Sequence, residues 1–186
     1  MRHRNEGRCS ARQRPSRHGF TVLEVTTVVV IIAILAVIGL GVAGHVRKRA
    51  RRVQCMANLR QLHLAAEMYV QQHGTWPQIR RMEHPTPSEY ASIWIDTLAP
   101  FGAQRSTWIC PAVQELIRSD YAEPENARLD YVAMPFDDKP DTRHRWARQP
   151  WFIEVADVHG SGNLLIFADG SISDLKAVVR ESGSGR

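Results

Sequence analysis

The chain has 186 residues, 44% hydrophobic and 23% charged, a composition that suits one packed domain with an added anchor or tail. Its formal charge of +5 sits in residues 1–19, where six arginines face one glutamate; the remaining residues carry 18 basic and 18 acidic side chains. A neutral body argues against a nucleic-acid partner and makes the basic stretch a short targeting and orientation leader.

Residues 1–19 are arginine-rich and lack apolar periodicity, so they read as a removable leader. Residues 25–44 then carry no charge. A helix rises about 1.5 Å per residue, so this run matches a hydrocarbon core of roughly 30 Å. Its many β-branched residues disfavour a helix in water, but in lipid the backbone must satisfy itself. Val46, Ala50, Val53 and Ala57, followed by Leu59, Leu62, Ala66 and Tyr69, recur at spacings of three and four, while most charges fall elsewhere. This predicts that one helix continues from the apolar run into an amphipathic half, stopped by Gly74 and Pro77.

Residues 75–150 are punctuated by prolines. Short helices are predicted near 87–99 and 111–119, a short strand over Tyr131–Met134, and a charged loop over 137–149. Trp151–Val155 and Asn163–Ala168 are β-rich, and Asp169-Gly170 predicts a hairpin into a run from Ser171 to Val179. The expected organisation is a leader over 1–19, an apolar helix half over 20–44, an amphipathic half over 45–74, a globular head over 75–181 and a flexible tail over 182–186. The fold class is α+β, with the long helix packed on an antiparallel sheet of two to four strands.

Function is most legible at Arg17-His18-Gly19-Phe20-Thr21-Val22-Leu23-Glu24, directly before the apolar run. This stretch resembles the cleavage signal of type IV prepilins and type II secretion pseudopilins, and the likeness is strongest over residues 17–73. The resemblance implies that a prepilin peptidase cuts between Gly19 and Phe20 and methylates the Phe20 amine. It also implies that Glu24 takes the role of the glutamate at the fifth mature position. The partners implied are that peptidase, the bacterial inner membrane, and like subunits in a filament, with the leader in the cytoplasm and the head in the periplasm. Charge alone does not settle orientation, because five basic residues between Arg47 and Arg52 follow the run.

A physical argument agrees with the resemblance. An unpaired carboxylate at the edge of an apolar helix costs several kcal/mol if drawn into lipid. A cation from a neighbouring subunit, the Phe20 amine, would neutralise Glu24 and set the stagger between helices. The plainer reading is that Glu24 snorkels to the interface. A secretory signal cut near Gly41-Val42-Ala43 fits less well, since the apolar run exceeds the roughly 7–15 residues of that class. A single-pass anchored protein with a periplasmic ligand-binding head is the alternative function.

Cys55-Met56-Ala57-Asn58-Leu59-Arg60-Gln61-Leu62 and Cys110-Pro111 resemble stretches in one bacterial group of pilin-like proteins. The resemblance implies a Cys55–Cys110 disulfide, worth about 4 kcal/mol by loop entropy; two buried thiols are the other reading. Asp157, Asn163 and Asp169, with His159, offer ligand atoms for calcium, the ion pseudopilins hold in a C-terminal loop. No EF-hand spacing accompanies them, so turn formation explains them first and no cofactor is expected. No hydrolase triad, HExxH, CxxC or phosphate loop is present, so no enzyme is expected. The five tryptophans are read first as core. The basic run has three readings: a solvated face, a contact for anionic headgroups, or a contact for acidic residues of a neighbour.

Overall fold

The computed structural model describes residues 21–80, 83, 86–160 and 162–183, with the side chains of residues 39–43 outside that description. The chain divides into two compact units, Met1–Ala43 and Gly44–Arg186. Helix α1 runs from Val22 to His73. Thr21 explains the start. Its hydroxyl accepts from the Glu24 amide at 3.2 Å while the Glu24 carboxylate accepts from the Thr21 amide at 3.4 Å, a reciprocal capping box. At the other end the Gly74 amide bonds to the Val70 carbonyl at 2.8 Å, and Gly74 sits at φ 76°. Only glycine takes that conformation without strain, so the helix ends there.

In the second unit, α1 packs on a four-stranded antiparallel sheet, the α+β arrangement expected. The strands are β1 (Tyr131–Ala133), β2 (Pro150–Glu154), β3 (Leu164–Phe167) and β4 (Ile172–Asp174), in the order β1-β2-β3-β4. Among the described residues three further α-helices are α2 (Pro87–Leu98), α3 (Pro111–Ile117) and α4 (Leu175–Gly183). Thr86 caps α2 in a second capping box with Glu89, and prolines open α2 and α3, where a missing N–H is harmless.

The core gathers Leu59, Leu62, Ala66 and Val70 of α1 with Trp76, Trp94, Trp108, Trp151 and Phe152. Trp76 lies 5.0 Å from Trp151 and 5.9 Å from Phe152, ring to ring, and Trp94 lies 6.1 Å from Trp108. Four of the five tryptophans are thus core; Trp146 is exposed.

Three expectations need correction. The stripe Val46, Ala50, Val53, Ala57 does not face the core: all four are exposed, and burial on α1 begins at Cys55. The run after the hairpin is strand only to Asp174. Asp174 pairs with Leu164, the first residue of β3, so the ladder ends there. Leu175, Val178 and Val179, spaced three and four, then continue as α4. Ser182 and Gly183 belong to α4 rather than to a tail, and 184–186 lie outside the described residues.

Candidate functional site

The cleavage pair Gly19 and Phe20 lies outside the described residues. Glu24 stands in the first turn of α1, exposed, where its negative charge also suits the helix dipole. The apolar side chains around and after it are open: Val22 is 86% exposed, Val25 52% and Ile38 60%. The hydroxyls of Thr26 and Thr27 bond back to the Val22 and Leu23 carbonyls, and the exposed surface is otherwise apolar after Glu24, as at an interaction face. Among the described residues no helix is long and apolar enough to cross a membrane; the span expected over 25–44 includes residues 39–43, whose side chains are not described.

Part of the basic run after this segment is used within the chain. Arg51 pairs with Glu115, and Arg52 grips Asp174 through two bonds of 2.9 and 2.8 Å. A solvated helix face therefore accounts for only some of these residues.

A second constellation lies inside the head. Cys55 and Cys110 come together, both buried and both free thiols. Sequence reasoning brought these two to one place but missed Glu154, and it set His159 among the calcium candidates rather than beside the cysteines. Strand period explains Glu154. It follows Phe152 on the inward face of β2 and lies directly opposite Tyr131. The carboxylate is therefore carried into the core, where the residue is 1% exposed. Its Oε2 accepts from the Leu164 amide at 3.3 Å, and its Oε1 lies 3.2 Å from His159 Nε2. The same Nε2 lies 3.9 Å from Cys110 Sγ.

The turn between β2 and β3 aims His159. Asp157 Oδ1 accepts from the amides of Gly160 and Gly162, both at 3.0 Å, and Oδ2 accepts from Lys176 at 2.8 Å. Gly160 and Gly162 have φ of 78° and 101°, so the tight turn needs both. Cys110 is held from the other side: it precedes α3, and its amide donates to Asp130 Oδ2 at 2.8 Å.

Burial raises the Glu154 carboxyl to about 8, with a hydrogen bond to Cys110 adding to the effect. The Cys110 thiol is pushed far up by its hydrogen bond to Cys55 and by burial. Desolvation also drives the Tyr131 phenol far up, and the neighbouring Cys55 adds to the effect.

The residues considered for calcium are engaged separately. Asp157 shapes its turn, Asn163 Nδ2 donates to the Glu154 carbonyl at 2.8 Å, and Asp169 accepts from the Ser171 amide and hydroxyl at 2.8 and 2.6 Å. Their bonding is that of turn residues.

Residues 44–130 match the family described as "Protein of unknown function (DUF1559)". The match spans 87 of the 186 residues. It takes in Cys55 and Cys110, whereas Glu154 and His159 lie beyond it. No curated protein and no solved structure matches the chain.

Proposed function

We propose that this chain is a structural subunit of a type IV pilus-like or type II secretion pseudopilus filament, not an enzyme. The observation that carries the reading is the first part of α1, where exposed apolar residues from Val22 to Ile38 include a single carboxylate, Glu24, in the first turn. Such a surface is costly in water and calls for lipid before assembly and for like helices afterwards. In this reading the prepilin peptidase cuts between Gly19 and Phe20 and methylates Phe20. The subunit waits in the bacterial inner membrane with its head in the periplasm. On assembly the Phe20 amine of one subunit meets Glu24 of the next, and the apolar helices pack together.

Glu24 also caps its own helix, so the test must separate charge from capping. Glutamine satisfies a capping box without the charge. Glu24→Gln and Glu24→Ala should both retain membrane insertion and both lose filament assembly, scored by shearing and microscopy in the native host. Assembly by the glutamine variant at wild-type level would assign Glu24 to the cap and contradict the amine pairing.

A further inference from the structure

We propose that Cys55, Cys110, Glu154 and His159 form a buried four-ligand site for a zinc ion. The inference stands apart from the filament reading, since it concerns the interior of the head. Two sulfurs, one imidazole nitrogen and one carboxylate oxygen come from α1, the residue before α3, the end of β2 and the turn after it. All four ligand atoms lie within 4.8 Å of one another.

The spacing suits the ion. Zinc sits about 2.3 Å from sulfur and about 2.0–2.1 Å from nitrogen or oxygen, in a tetrahedron. Those bond lengths place nitrogen and oxygen ligands about 3.3 Å apart, and nitrogen and sulfur about 3.6 Å apart. Here His159 Nε2 lies 3.2 Å from Glu154 Oε1 and 3.9 Å from Cys110 Sγ. These two separations need shifts of a few tenths of an ångström, and pairs as far apart as 4.8 Å must close by about 1 Å, within reach of side-chain rotation.

A disulfide would account for the two cysteines alone. It would not account for a carboxylate and an imidazole, 0% and 3% exposed as side chains, turned inward beside them. Buried groups of this kind pair or bind a metal; Glu154 and His159 pair with each other at 3.2 Å and lie within 4.8 Å of both sulfurs, so one ion would engage all four. The supporting shell is also present: the Leu164 amide donates to Glu154 Oε2, and the Asp157 turn fixes His159. The Tyr131 hydroxyl is placed to donate to a Cys55 thiolate. An access path exists as well. A surface cleft of about 490 Å³, lined by Arg51, Arg52, Ala112, Glu115 and Asp157, reaches His159. On binding, both thiol protons and any proton on Glu154 leave to solvent, and the ion takes their place.

The test uses the full chain in detergent, reduced and freed of metal, then given zinc and dialysed. About one zinc per chain is expected, as a closed four-ligand site requires. Zinc should block alkylation of both cysteines and raise the melting temperature, and magnesium should do neither. Cobalt in place of zinc should give the visible absorption of a thiolate-ligated tetrahedral ion. His159→Ala and Cys55→Ser should lower zinc content at least about tenfold. If those variants fail to fold, alkylation protection and the cobalt spectrum of the unmutated chain decide the matter. Folded, reduced wild-type chain that holds no zinc would overturn the proposal. So would a Cys55–Cys110 linked peptide from chain isolated without reductant.

Discussion

Replacing Asp130 tests how the head is held together at the point where α3 begins. The carboxylate is 6% exposed and accepts three bonds: from the Cys110 amide at 2.8 Å, and from Arg128 Nε at 3.0 Å and Nη2 at 3.3 Å. Asp130→Ala leaves the buried Cys110 amide without an acceptor, at about 1–3 kcal/mol. It also unpairs a mostly buried guanidinium, a change that costs about 3–5 kcal/mol where nothing else engages the cation. Arg128 keeps Gln114 Oε1 at 2.7 Å and a bond to Ser119, so the second figure is reduced here. Together the loss should be about 3–5 kcal/mol, a large part of the roughly 5–15 kcal/mol that holds a domain. Asp130→Asn keeps an acceptor for Cys110 and should lose only about 1–2 kcal/mol, the charge-assisted share. Urea denaturation of the purified chain in mild detergent, followed by tryptophan fluorescence, measures both. A loss below about 1 kcal/mol for the alanine variant, or equal losses for both, would refute this reasoning.

Other expectations can be checked by the same assay. Leu62→Ala, at a fully buried position where α1 meets the core, should cost about 2–5 kcal/mol. Thr86→Ala removes the cap of α2 and should cost about 1 kcal/mol. Gly162→Ala should cost more than about 1 kcal/mol, because its φ is 101° and a Cβ would meet Lys176 Cγ at 3.0 Å and the Lys176 amide nitrogen at 3.1 Å. Gly102→Ala, at φ 97° with open space, should cost less, since only the backbone conformation opposes it.

Much of the fold could be read from local signals. Gly74, the prolines at 87 and 111, and Asp169-Gly170 each mark a boundary by fixing or freeing a backbone angle, and each boundary stands where that chemistry puts it. The capping box Thr21-Val22-Leu23-Glu24 was equally local. One carboxylate there can serve both the helix cap and a charge pairing, so its chemistry alone does not single out the cap. What failed depends on partners distant in sequence. Val46 and Val53 share the periodicity of Leu59 and Leu62, but periodicity does not say where the head begins to cover the helix. The strand after Ser171 stops at Asp174 because its partner there, Leu164, is the first residue of β3. Glu154 and His159 were the least legible. A glutamate at the inward step of a strand pattern looks like a surface residue until the register with Tyr131 is known. His159 reaches the cysteines only through the turn that Asp157 builds.

The claim that this chain is a processed filament subunit is tested most directly at its N-terminus. Intact-mass and peptide mass spectrometry of the protein from its native membranes should find a chain that begins at Phe20 with one added methyl group. A chain that still carries Met1 through Gly19, or one that begins near Gly44, would contradict it.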